Sequence, residues 1–515
     1  MKCQRSHQRY SLITIALLTL CCALPSQAKT ESDASQYDLA IVNTSIISPE
    51  RNEILANSVV LLRAGRIAAI VPKASKYNAA NTLDGNGQYL LPGLIDSHVH
   101  LYHATGLKPR YTDHFDKLYA AYMQQMPRSY LYHGFTTIIE TNADQETNDN
   151  FSKIDIRPDL AHCGAGLVLS DGYMASEIPE GQLLKYAPNF LYDHFRDAYL
   201  PEGVDPTEHS PHATVANIAA SGAICVKLYY EEALWMPGGA PDIKLPSKEI
   251  LTEVVTEAHA LGLTVIMHAT SPNGHQMARE IGVDVISHGP WDWLENNYNS
   301  ATIPESINQS LFATANSKID IQPTISSLQH TASLFKPDLL VRPELQHVLP
   351  APFIDYLKSD AQIQREIFIN IFGHAINDQP SSESVALSIT QMIKRYKRMV
   401  GILAENGAHL LLGTDTSSGG FGWGNPPGLN GYWEILDWAE SGVPLEVIFS
   451  AATIDNARAF GLQNEIGSVE VGKKANLLLS QANPLKNLDA YNKITTVILN
   501  GKVLPRETLS ATSMR

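Results

Sequence analysis

Cysteine is scarce in this chain, five in 515 residues. Cys3, Cys21 and Cys22 fall near the start, leaving only Cys163 and Cys225 further along. So few thiols exclude a disulfide-built scaffold and a cysteine metal cluster. A single bridge between the last two is conceivable, but both sit in strand-like runs and are read as free buried thiols. Basic residues are also in deficit, 38 Lys and Arg against 53 Asp and Glu, for a formal charge of −15, which argues against nucleic acid as a partner. Internal repeats and low-complexity tracts are missing, and no apolar run is long enough for a stable membrane span.

The apolar run Leu12 to Leu24 follows Lys2, Arg5 and Arg9 and precedes Ser26-Gln27-Ala28. A basic head, a short apolar stretch and small residues at the end read as a signal peptide over 1–28, cleaved after Ala28. The expected location is therefore outside the cytoplasm, periplasmic or secreted, with an uncleaved anchor as the alternative.

Short alternating strands with polar turns occupy 29–88, and a similar pattern returns in 455–515, so both ends read as small β pieces. Between them, over 89–454, strand-like runs alternate with helix-like segments, which argues for an α/β fold of parallel β/α units. Eight runs qualify: Leu90 to Leu101, Thr136 to Thr141, Cys163 to Ser170, Ala223 to Tyr230, Leu263 to Ala269, Val283 to Gly289, Ile319 to Ile325 and Leu410 to Thr416. Eight suit a closed (β/α)8 barrel. A helix-like Gln276 to Ile281 ends at Gly282, and a long helical insertion broken by Pro343, Pro350 and Pro352 fills 329–405.

Polar residues stand where these strands end, and a barrel places its active site at that face. His98 and His100 alternate on the first strand, so both project from one side, as two ligands of one metal ion must. Lys227 lies on the fourth strand, His268 on the fifth, His288 on the sixth and Asp415 on the eighth.

On these residues the chain resembles the amidohydrolase superfamily, in particular its imidazolonepropionase-like and Xaa-Pro dipeptidase-like branches. The resemblance runs from about Tyr37 to Leu504. It rests on Arg66-Ile67, the stretch Leu91-Pro92-Gly93-Leu94-Ile95-Asp96-Ser97-His98-Val99-His100, Gly134-Phe135-Thr136-Thr137, His288-Gly289, Gly413-Thr414-Asp415, and Ile466-Gly467-Ser468 to Gly472-Lys473. It implies a composite β-sandwich formed by both chain ends beside the barrel. It also implies two divalent ions, taken as Zn2+, one held by His98, His100 and Asp415, the other by His268 and His288. A carbamate formed from carbon dioxide on Lys227 would bridge them, and Asp415 would move protons.

The chemistry agrees, because imidazoles and carboxylates suit zinc whereas an ammonium is no ligand at all. Alternatives stay open: one ion instead of two, a structural Lys227, an Asp415 that only caps a turn, core roles for His268 and His288. The implied reaction is hydrolysis of an amide, dipeptide or lactam C–N bond by a metal-bound hydroxide. The rivals are an esterase or lactonase on the same site and a non-catalytic binding barrel. The substrate would be a small amide, dipeptide or N-acyl amino acid.

Candidate substrate contacts are Tyr229, His275 and Arg110. Tyr229 shares a strand face with Lys227, where it either donates a hydrogen bond to a substrate carbonyl or simply fills the barrel. Lys108 and Arg128 are further cations after the first strand, and Gly419 to Trp433 form the loop after the eighth. Three positions depart from the relatives: Thr270 replaces a second histidine two residues after His268, Tyr229-Tyr230-Glu231-Glu232 replaces a Gly-rich turn, and Asn476 replaces Asp. The sequence leaves the oligomeric state open.

Overall fold

The computed structural model describes residues 36–107, 113–234, 243–294, 297–376, 379–417 and 423–514. The leader at 1–28 lies outside the described residues, as do Lys108, Arg110 and the loop residues 418–422. Among the described residues no helix is long and apolar enough to cross a membrane.

The fold is mixed α/β. Strands β1 (Tyr37–Ile46), β2 (Leu55–Arg63), β3 (Arg66–Pro72), β4 (Ala79–Asp84) and β5 (Tyr89–Pro92) share one eight-stranded sheet with three strands from far along the chain. Alternation explains the first of these strands: Leu39 and Ile41 turn one way into a core with Val60 and Leu62, while Ala40 turns the other way toward Val59 and Leu61.

Two parallel sheets follow. The first holds β6 (Leu94–Val99), β7 (Phe135–Glu140) and β8 (Asp159–His162); the second holds β9 (Cys225–Tyr230), β10 (Thr264–Ala269), β11 (Val285–Ser287) and β12 (Asp320–Gln322), paired in sequence order. Their strands are buried on both faces, as in sheets covered by helices. Backbone bonds link the pieces, among them Ile224 N to His162 O at 2.9 Å, Leu411 N to Ile321 O at 2.8 Å and Ser97 N to Leu412 O at 3.0 Å.

The late strands β13 (Leu477–Ser480), β14 (Ile494–Leu499) and β15 (Lys502–Pro505) complete the eight-stranded sheet, β13 pairing with β5. Both β-rich regions thus meet in one sheet.

Several expectations need correction. Cys163 and Cys225 are not free thiols but form a disulfide, their Cα atoms 4.3 Å apart. The Ile224 to His162 bond lays the end of β8 beside the start of β9, which brings the two side chains together. The third strand runs Asp159–His162, ahead of the expected Cys163 to Ser170, where the chain turns through Gly164 at φ 69°. Leu410 to Thr416 forms only isolated bridges, Leu410 to Ile321 and Thr416 to Val99, because Asp415 adopts a φ of 56° that no continuous strand allows. The helix expected from Gln276 begins earlier, at Pro272, since Ser271 caps it by accepting from Gly274 N, and it ends as expected at Gly282, φ 76°. The insertion is helical, dominated by Ala351–Ile376 and Ser382–Glu405.

Candidate metal centre

His98 is the penultimate residue of β6 and His100 lies one residue beyond the strand's end. The distant segment carrying Asp415 is locked to them by its backbone: Asp415 N donates to His98 O at 2.8 Å, and His100 N donates to Thr416 O at 2.6 Å. The left-handed turn at Asp415 aims its carboxylate between the two rings, Oδ1 lying 2.9 Å from His100 Nε2 and 3.5 Å from His98 Nε2. Ligand atoms of these three residues all lie within 4.8 Å of one another, a spacing one cation can span.

The other three candidates gather around them. Lys227 on β9 puts Nζ 3.5 Å from His98 Nε2 and donates to Ser287 Oγ at 3.0 Å. His288, just past β11, adopts a φ of 76°, and its ring centroid lies 5.5 Å from that of His98 and 4.7 Å from that of His268 on β10. In-register pairing of β9, β10 and β11 sets this convergence, with His268 opposite Tyr229 on one side and Ser287 on the other.

Further residues, not singled out from sequence, orient the imidazoles. Gln322 donates from Nε2 to Ser97 O at 2.9 Å and to Ser97 Oγ at 2.8 Å, so its Oε1 faces His98 Nδ1 at 3.1 Å. His98 therefore carries its proton on Nδ1 and presents Nε2 as a lone pair. Thr324 Oγ1 lies 2.6 Å from His288 Nδ1. Glu140 sits 3.7 Å from His100 Nδ1 and accepts from Asn142 N at 2.8 Å and from Leu101 N. Glu231 Oε2 lies 2.7 Å from His268 Nε2. Glu140, a buried acid closing an apolar strand, carried a readable signal, while Gln322 and Thr324 lie in the seventh expected run.

Burial and the like charge of Lys227 hold His98 far below its ordinary pKa against the opposing field of Asp415; burial and His268 do the same to His288. Burial would also lower His100, but its hydrogen bond to the Asp415 carboxylate and the nearby Glu140 carboxylate outweigh it and raise the ring to about 9. Burial would raise Asp415, yet the His100 hydrogen bond and the charges of His98, His100 and His288 hold it far below the usual carboxylate range. Burial lowers Lys227 to about 7 against the opposing fields of Asp415 and Glu140.

Tyr229 stands beside the site, its ring 6.0 Å from that of His268 and its hydroxyl buried without a partner. Gly166 makes room for it, since a methyl there would sit 2.6 Å from that hydroxyl. His275 lies elsewhere, on the helix Pro272–Ile281, with Nδ1 3.3 Å from Thr314 Oγ1 and a pKa depressed to about 3 by burial and by Arg279. Arg128 donates to the Thr508 carbonyl, away from the site. Arg110 falls outside the described residues.

The donor set, imidazole nitrogens with oriented partners plus a carboxylate held ionised, is of the kind that fits a divalent ion such as zinc. Residues 89–504 match the amidohydrolase family. Adenine deaminase of Ruegeria sp. (strain TM1040) is 33% identical over 79 residues, 15% of this chain and 13% of that protein. The match thus spans a small part of that relative's length. A solved Xaa-Pro dipeptidase with bound methionine in its active site is similar over 91% of this chain and 99% of its own, at 18% identity and a TM-score of 0.62. A. niger ochratoxinase is similar over 91% of this chain and 95% of its own, at 18% identity and a TM-score of 0.60. At such identities the likeness shows the fold.

Proposed function

Because the chain belongs to the amidohydrolase family, we propose that it is an exported, metal-dependent hydrolase that cleaves a C–N bond in a small amide, dipeptide or lactam. The observation that carries this reading is the grouping of His98, His100 and Asp415, with Lys227 and His288 beside His98 and His268 beside His288. We take the parallel strands to close as a (β/α)8 barrel over 89–454, with 29–88 and 455–515 forming the β-sandwich beside it.

His98, His100 and Asp415 would hold one zinc ion, His268 and His288 a second, with Lys227 between them. Bound there, divalent ions lower the pKa of a water and polarise a carbonyl oxygen. Lys227 reads as the bridging group once its amine has added to carbon dioxide, forming an N–C bond and releasing a proton. Its depressed pKa favours the neutral amine that this addition needs. Asp415 accepts a proton on its carboxylate and delivers it to the leaving nitrogen. The Tyr229 hydroxyl, buried without a partner, is available to a substrate oxygen.

Export draws support from the leader at 1–28 and from the Cys163–Cys225 disulfide, a bond of oxidising compartments. N-terminal sequencing of protein from the native cell envelope should begin at Lys29; an intact Met1 on membrane-bound material would make the leader an anchor.

The decisive experiment pairs metal analysis of the purified chain with turnover assays on dipeptide, N-acyl amino acid, lactam, ester and lactone panels. About two ions per chain with C–N hydrolysis is expected. Turnover confined to esters or lactones would assign the rival hydrolase, and metal without turnover on any panel would point to a binding barrel.

A further inference from the structure

On the family resemblance, Tyr229-Tyr230-Glu231-Glu232 stand where relatives commonly carry a Gly-rich turn, and Thr270 where they commonly carry a histidine. The structure joins these two departures. Glu231 is buried, and its Oε2 takes two contacts, His268 Nε2 at 2.7 Å and Thr270 Oγ1 at 2.7 Å, while its Oε1 accepts from Ala233 N at 2.5 Å. Glu232 grips the next residues, accepting from Ser271 Oγ and from Asn273 Nδ2 at 3.1 Å. The end of β9 thus clasps the end of β10 and the start of the helix behind it.

An ionised carboxylate only accepts hydrogen bonds, so the hydrogen on the His268–Glu231 contact belongs to the imidazole. A neutral His268 then has Nε2 protonated and Nδ1 bare. His98 is arranged the other way, with Nδ1 facing Gln322 Oε1 and Nε2 turned toward Lys227.

We propose that Glu231 is a positioning residue, which fixes His268 in the tautomer whose Nδ1 is free for a metal ion and which Thr270 holds in place. The inference rests on the reading of His268 as a ligand. Glu231 and Thr270 form a hydrogen-bonded pair, Thr270 Oγ1 donating to Glu231 Oε2.

The test measures binding of Zn2+ by competition with a chromogenic chelator, and the visible spectrum after loading with Co2+, on the full mature chain. Glu231→Gln and Glu231→Ala should weaken one of the two ions by about 10- to 100-fold, as loss of a histidine's orienting partner does. They should also change the Co2+ bands of that ion while leaving the other at the affinity of the unmodified chain. Thr270→Val, which removes one hydrogen bond to Glu231, should weaken the same ion by about fivefold. His268→Ala serves as the reference and should lose that ion.

Unchanged affinities in the Glu231 variants, with one ion lost in His268→Ala, would overturn the inference alone. Both ions retained in His268→Ala would overturn the ligand reading beneath it. Should the Glu231 variants not fold, a Thr270→Val chain with unaltered metal affinity and spectrum overturns the proposal by itself.

Discussion

Asp415 Oδ1 and His100 Nε2, separated by 315 residues of chain, stand 2.9 Å apart. Without metal the two form a buried ion pair, with the imidazole raised to about 9 by this partner and Glu140 against the effect of burial. Metal binding at this pair must displace the imidazole proton.

Asp415→Asn keeps the shape and an oxygen but removes the charge and the basicity. Turnover of amides should fall by about 10² to 10⁴, the usual contribution of a general acid–base group, with a much smaller loss of metal. Aryl esters, whose leaving groups depart without a proton, should suffer less. Steady-state kinetics on both substrate types, alongside metal analysis, checks this; equal losses would reduce Asp415 to a ligand.

Lys227→Ala removes a buried group that touches both His98 and Ser287. Metal affinity should drop by about 10- to 100-fold, and activity with it. Acetate or propionate should partly restore turnover by occupying the vacated space with a carboxylate. Absence of rescue across a concentration series would assign Lys227 a structural part.

His133 is buried with neither ring nitrogen partnered, and burial, followed by the charges of Arg506 and His347, depresses its pKa far below 6.5. The unfolded chain takes up a proton near pH 6.5 that the folded chain refuses. Its contribution is therefore fully present above that pH and is lost as pH falls. His133→Phe should raise stability at neutral pH by about 1 to 3 kcal/mol, since it relieves unpaired buried polar atoms. It should also flatten the decline of Tm between pH 6.5 and 4.5. A parallel pair of Tm curves for the two chains would contradict this.

Thiol titration of unfolded residues 29–515 should find no reactive cysteine without reductant and two after reduction. Cys225→Ala, opening a crosslink between residues 62 apart, should destabilise the fold by about 4 kcal/mol on the chain-entropy account, read by chemical denaturation.

His98, His268, His288 and Asp415 stand out in the sequence because each is a polar side chain at or near the end of an apolar run, while Lys227 stands within one, a pattern that packing alone gives no reason for. The strand-helix alternation was legible for the same reason, as local periodicity. What escaped is what depends on neighbours in space. The pairing of Cys163 with Cys225 follows from β8 lying beside β9, which nothing in either segment announces. Gln322 and Thr324 matter because of the rings they face, His98 and His288, on other strands. Glu231 stood out in sequence only as part of the segment Tyr229 to Glu232, and the register of β9 against β10 shows that it meets His268. The loss of extended pairing at Asp415 came from a backbone turn that its apolar surroundings disguised.

The sheet shared by early and late strands makes the order of synthesis matter. Val469 N reaches Ser48 Oγ across 421 residues, and Thr495 Oγ1 reaches Gln88 Oε1 across 407. Strands β1 to β5 leave the ribosome long before their neighbours β13 to β15 exist, and contacts so distant in sequence form slowly. The sheet remains incomplete until nearly the whole polypeptide has been made. If the chain is exported as proposed, it must stay unfolded over that interval, and the connectivity itself would supply the delay.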